Sequence, residues 1–145
     1  VRNYLNNEPF MLTYGDGLSD INLDLLLEYH RSKNLAVTVT GVRPPARFGE
    51  LQVGSDGAAT GFNEKPQASA GMISGGFFVC EPTVFTHMNS REDLVFEQDP
   101  MQSLVGEKLL AVYQHDGFWQ CMDTFRDWQL LNSMIDQEKA PWKVW

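Results

Sequence analysis

The chain has no apolar run near the roughly 18 residues of a membrane span, and nothing at its start has the form of a signal peptide. A membrane protein is therefore not expected. Cysteine is scarce: Cys80 and Cys121 lie far apart and outside any CxxC spacing. One disulfide is arithmetically open to them, but a sparsely cysteinyl, acidic domain fits the reducing cytosol better. The three histidines, His30, His87 and His115, show no metal-ligand spacing, and no GxSxG, HExxH or Walker-type loop occurs. Basic charge is also short, with 11 Lys and Arg against 19 Asp and Glu and a net charge of −8. That argues against a general nucleic-acid binder, which needs a basic face to displace counterions. It leaves a nucleotide ligand open, because a phosphate site needs only a few local cations or backbone N–H groups.

What is present describes a globular domain. The 145 residues suffice for about one domain, and 43% hydrophobic with 21% charged residues is far from a disordered composition. Apolar β-rich runs alternate with helical patterns, the signature of an α/β protein. Phe10 to Tyr14 reads as a buried strand opening into the turn Gly15-Asp16-Gly17. Ser19 or Asp20 is the candidate cap of a helix carrying Leu23, Leu26, Leu27 and His30 on one face, so His30 reads as packing. Leu35 to Val42 is β-branched, and strand, helix and strand predict a right-handed parallel crossover. Asp56-Gly57 between two strand-like runs predicts a hairpin. Gly71 to Cys80 and Leu109 to Tyr113 read as strands, and Glu81 to Met88 and Glu97 to Leu104 as short helices. Thr124 to Gln137 reads as a helix with Phe125, Trp128, Leu131 and Ile135 in one apolar stripe, followed by a docked aromatic tail from Pro141 to Trp145.

Five constellations are candidates for chemistry, each with a plainer reading beside it. Asp16, flanked by glycines at a strand's carboxyl end, sits where open α/β sheets bind ligands, and a carboxylate suits Mg²⁺ that accompanies phosphates. The same Gly-Asp-Gly is also an ordinary turn. Asp123 or Thr124 is a natural N-cap, yet Asp123 can face a cleft while Thr124 caps. Lys65, after a strand-like run and before Pro66, suits a phosphate, and Glu64 suits sugar hydroxyls; a solvated ion pair is the alternative. Gly75 and Gly76 inside a strand imply either a close ligand or a β-bulge. Arg43 and Arg47 flank a Pro-stiffened loop that meets phosphate, another subunit or only solvent.

The order of these signals is more specific than any one of them. FMLTYGDG, ARFGELQV, GFNEKP, GMISGGFFV, GFWQCMDTFRD and APWKVW together resemble the sugar-phosphate nucleotidyltransferases. The APWK tail and the GFWQxMDTxRD block point, within that family, to the glucose-1-phosphate cytidylyltransferases. The resemblance implies a Rossmann-like α/β fold with a mixed sheet, here partial, so that residues 1–145 are the C-terminal part of one nucleotidyltransferase domain. It implies transfer of a cytidylyl group from CTP to glucose 1-phosphate, giving CDP-glucose and pyrophosphate for surface polysaccharide. It further implies Mg²⁺ held by Asp16 and Asp123, Gly15 against nucleotide or substrate, and Lys65 on the sugar phosphate. Glu64, Gly49, Gly75 and Gly76 would line the sugar pocket. A homo-oligomer is implied as well; the cytoplasmic expectation rests on the cysteine content and acidity given above.

Three departures from the family pattern bear on this. The Gly-rich GGxGTR-type loop that grips the triphosphate is absent, and the chain begins at Val1 rather than Met, so a fragment lacking the first strands is expected. Ser74 stands where Asn is expected, and Cys121 where Pro is expected. Without the loop the chain alone is expected to bind CTP weakly or not at all. The alternative reading is a non-catalytic remnant or assembly module of the same fold, self-associating through an exposed sheet edge. A nucleotide-sugar-dependent glycosyltransferase is a further enzyme reading, disfavoured by the EKP and MDT blocks.

Overall fold

The computed structural model describes residues 2–44, 50–63, 71–89 and 93–144. In chain order the elements are β1 (Phe10–Thr13), β2 (Gly17–Ser19), α1 (Leu23–Lys33), β3 (Val37–Val42), β4 (Glu50–Val53), β5 (Ala59–Asn63) and β6 (Ile73–Cys80). There follow α2 (Asp99–Gly106), β7 (Leu110–His115), β8 (Trp119–Cys121) and α3 (Phe125–Asp136). The segment expected as a helix after β6 is a 3-10 helix, Pro82–His87, opened by its proline.

The main sheet has strand order β1-β6-β3-β7. β6 runs antiparallel to both of its neighbours, and β3 and β7 are parallel. β1 and β3 therefore point the same way, as the strand–helix–strand pattern predicts, but β6 lies between them. The sheet is mixed. β3 is buried along its whole length, which is why its sequence is a continuous β-branched run and not an alternating one. Val37, Val39, Phe78, Cys80, Val84 and Leu104 form one core cluster, against which Phe10, Leu12, Tyr14 and Phe96 pack. Tyr14 and Phe96 meet Phe78 edge-on at 5.5 Å each. α1 inserts Leu26 and His30, both 1% exposed. Its cap is Asn22, whose side chain accepts from Leu25 N, rather than Ser19 or Asp20. Those two are engaged elsewhere: Ser19 closes β2 and donates to the Phe118 carbonyl, and Asp20 lies 2.9 Å from His115.

Two small ribbons accompany the sheet. β4 and β5 form the expected hairpin, with Gly57 at φ 80° in its turn and Asp56 accepting from Ala58 N. β2 and β8, each three residues long, pair antiparallel. The stripe on α3 is mostly uncovered: Leu131 is 3% exposed, but Phe125 is 70% exposed and stacks on Trp128 at 5.3 Å. The tail docks through Trp142, stacked 5.1 Å from Phe118. Cys80 and Cys121 are free thiols. Among the described residues, no helix is long and apolar enough to cross a membrane.

Candidate active site

The ribbon of β2 and β8 decides where the two candidate carboxylates lie. Its register places Gly17 opposite Cys121, Leu18 opposite Gln120 and Ser19 opposite Trp119. The pairing extends one step further, since Met122 N donates to the Asp16 carbonyl at 2.8 Å. Asp16 thus faces Met122, and Asp123 follows directly. The two acidic residues occupy the same end of one ribbon although most of the chain separates them in sequence. Both are exposed. Among the described residues a Cβ built on Gly15 would meet nothing within 4 Å, so the turn before Asp16 has an open side.

Thr124, not Asp123, is the N-cap of α3. Its hydroxyl accepts from Asp127 N at 3.2 Å while the Asp127 carboxylate accepts from Thr124 N at 3.0 Å, a reciprocal capping box. Gln120 Nε2 also donates to Asp127. The Cys121 thiol donates to Asp123 Oδ2 at 3.4 Å. Burial raises the Cys121 pKa, and the bonded Asp123 and the charge of Asp127 raise it further, so this thiol is a neutral donor. The phenol of Tyr14 is likewise held protonated, first by burial, then by its hydrogen bond to Glu97 and the charges of Glu97 and Asp16.

Gly75 and Gly76 are buried in a β-bulge. Val39 pairs with Phe78 and Gly41 with Ser74, so Thr40 on β3 opposes three residues of β6. Gly76 has φ 75°, and a Cβ there would come within 3.0 Å of the Tyr14 ring. One on Gly75 would lie 2.9 Å from Val42 Cγ1. The protein's own packing requires both glycines.

Beyond the ribbon's other end, His115 Nε2 lies 2.9 Å from Asp20 Oδ1 and 3.2 Å from both Ser19 Oγ and the Phe118 carbonyl. These acceptors make Nε2 the protonated nitrogen. Arg43, a candidate phosphate contact by sequence, pairs with Asp116 in the turn between β7 and β8. Gly49, Glu64 and Lys65, together with Arg47, lie outside the described residues. Among the described residues no group of three or more His, Cys, Asp or Glu side chains gathers as a metal site. The carboxylate pair is nevertheless the kind of partial set that suits Mg²⁺, which keeps several waters and takes its remaining ligands from phosphates. Sequence reading missed β2, β8 and the contacts of Trp119 and His115. Three-residue strands carry no periodicity to detect, and the WQC of β8 was visible only as part of a motif.

Comparison with known proteins gives a consistent result. The Nucleotidyl transferase family model matches residues 1–136. The chain is 44% identical over 145 residues to a probable glucose-1-phosphate cytidylyltransferase of Bacillus subtilis (strain 168), covering 100% of this chain and 56% of that protein. It is 38% identical over 140 residues to the glucose-1-phosphate cytidylyltransferase of Salmonella typhimurium (strain LT2), covering 97% of this chain and 54% of that one. A solved structure of HddC from Yersinia pseudotuberculosis matches with a TM-score of 0.62 at 16% identity, over 92% of this chain and 58% of that chain, a likeness of fold. The chain spans a little over half the length of these relatives.

Proposed function

Because the chain belongs to the nucleotidyl transferase family, we propose that, completed to the length of its relatives, it transfers a cytidylyl group from CTP to glucose 1-phosphate. A sugar-phosphate oxygen attacks the α-phosphorus, the bond from that phosphorus to the bridging oxygen breaks, and CDP-glucose and pyrophosphate form. Both substrates are anions and repel, so positioning and charge neutralisation carry the catalysis.

The observation that supports this reading is the hydrogen bond from Met122 N to the Asp16 carbonyl, which sets Asp16 and Asp123 at one end of a shared ribbon. Those two carboxylates are the proposed ligands of Mg²⁺. When bound, the ion neutralises phosphate charge and aligns the reacting oxygens. Gly15, with no packing on its open side, leaves room for nucleotide or substrate beside Asp16. Lys65 is proposed to hold the sugar phosphate as a point charge, with Glu64, Gly49 and the Gly75–Gly76 stretch along the sugar. The free thiols support a reducing, cytoplasmic setting, and the product class suits polysaccharide synthesis.

The test is Mg²⁺-dependent formation of CDP-glucose by the completed chain and by its Asp16→Asn and Asp123→Asn variants. Each variant should lose about 100-fold or more in kcat/KM, the scale of removing one electrostatic contact to the reacting groups. Near-normal turnover in either variant would remove that residue from the assignment. A second reading, an assembly module, is supported by the uncovered stripe of α3, with Phe125 70% and Trp128 and Ile135 each 47% exposed. On that reading the chain is a homo-oligomer, and sedimentation of Phe125→Ser against the parent tests it.

A further inference from the structure

A ribbon of three residues per strand is marginal by itself, yet this one carries both proposed metal ligands. Its orientation has to be imposed from outside. The bulge in β6 is the place where that happens. Opposite Thr40, residues 75–77 leave the regular ladder with β3, while on the other side of β6 the pairing with β1 runs one step further, and two consecutive carbonyls meet the two arms. The Gly76 carbonyl accepts from Tyr14 N at 3.0 Å. The Gly75 carbonyl accepts from Trp119 Nε1 at 2.8 Å. Tyr14 lies two residues before Asp16, and Trp119 four before Asp123. One point in a buried strand therefore holds both arms that end in a carboxylate.

The two contacts differ in what they can tolerate. The bond from Tyr14 is backbone to backbone and survives most substitutions. The bond from Trp119 depends on one side chain, since the indole offers a single N–H and no acceptor. The indole lies beside both glycines: a Cβ on Gly75 would meet Nε1 at 3.4 Å and one on Gly17 at 3.8 Å, ordinary contact distances.

We propose that Trp119 is a positioning residue for the carboxylate pair: its indole N–H, bonded to the Gly75 carbonyl, fixes β8 and hence Asp123 relative to Asp16. The inference rests on the reading of Asp16 and Asp123 as ligands of one divalent ion. It gives the Gly75–Gly76 bulge a role in orienting that pair.

The probe is Mn²⁺ alone, titrated into the 145-residue chain and followed by the loss of its free-ion electron paramagnetic resonance signal. Trp119→Phe keeps an aromatic ring, smaller than the indole, and removes the donor. Loss of one hydrogen bond of about 1 kcal/mol predicts a Kd for Mn²⁺ raised about fivefold. In the completed chain the same variant should raise the half-saturating Mg²⁺ concentration by a similar factor and leave kcat at saturating Mg²⁺ within about twofold. A purely structural role would instead lower the melting temperature and leave the Kd alone. Asp16→Asn separates the two levels of argument. If it leaves Mn²⁺ binding intact, the ligand assignment falls, and this inference with it. If it abolishes binding while Trp119→Phe binds normally, only the role of Trp119 is overturned. A measurement on the unsubstituted chain avoids any failure of the variant to fold. By reciprocity, saturating Mg²⁺ should slow solvent exchange of the Trp119 indole proton several-fold, and an unchanged exchange rate would refute the coupling.

Discussion

Thr38 and Thr40 offer a sharp internal test of how the central strand is held. They are two residues apart on β3, point to the same face, and are both 0% exposed. Thr38 Oγ1 lies 2.8 Å from His30 Nδ1, whose other nitrogen lies 3.2 Å from Glu81 Oε1. With Nε2–H given to the carboxylate, Nδ1 accepts and Thr38 donates. Among the described residues Thr40 Oγ1 has no partner. Valine matches the shape of threonine and suits a strand, so each Thr→Val change isolates one hydroxyl. Thr38→Val deletes a bond and strands a buried imidazole nitrogen, which costs about 2 kcal/mol. Thr40→Val removes a hydroxyl that already lacks a partner, and should stabilise by about 1 kcal/mol. With a urea m-value of about 2 kcal/mol/M, the midpoint should fall by about 1 M in the first variant and rise by about 0.5 M in the second, at unchanged m. Equilibrium unfolding followed by far-ultraviolet circular dichroism reads both. Midpoints that move in the same direction by similar amounts would refute the hydrogen-bond argument.

Gly76→Ala should destabilise by about 1 to 3 kcal/mol, because φ 75° and a Cβ 3.0 Å from Tyr14 are both unfavourable, and the same urea titration measures it. Thr124→Ala removes the hydroxyl of the capping box on α3 and should cost about 1 kcal/mol, read as a fall of about 3 °C in Tm by calorimetry. Burial pushes the Cys80 thiol up from 9.0 to about 12. The unfolded thiol therefore loses its proton first, so this residue leaves stability flat below about pH 9 and lowers it as pH rises toward 12. Cys80→Ala should lessen that alkaline decline, as pH-dependent unfolding midpoints would register. An aromatic disulfide reagent at pH 8 should modify Cys80 only after unfolding, and Cys121, whose thiol is also held protonated, more slowly than a free thiol.

How much of this was legible in the sequence depended on the range of the interaction. β3, α1, the hairpin and the capped start of α3 rest on local patterns, and each was readable within a residue or two. Other features depended on partners far along the chain. Asn22 caps α1 because Ser19 and Asp20 are drawn to Phe118 and His115, which no local rule foretells. The apolar stripe of α3 was visible, but periodicity cannot say whether anything covers it, and only Leu131 is buried. Gly75 and Gly76 stood open between a ligand contact and a bulge; the register of β6 against β3 shows the bulge, and the ligand contact stays a proposal. Asp16 and Asp123 were named by motif, while their shared ribbon came from pairing between three-residue strands.

The ribbon also imposes an order on synthesis. Each described strand of the main sheet has been made once residue 115 is reached, but β8 and Asp123 are not yet in the chain. The staple between Asp20 and His115 spans 95 residues, and closing so large a loop becomes favourable only when the sheet has already brought its ends together. The sheet and the proposed ligand-binding end are thus separable in time during translation. The two acids proposed to share an ion can meet only after β8 has been made and has left the ribosome.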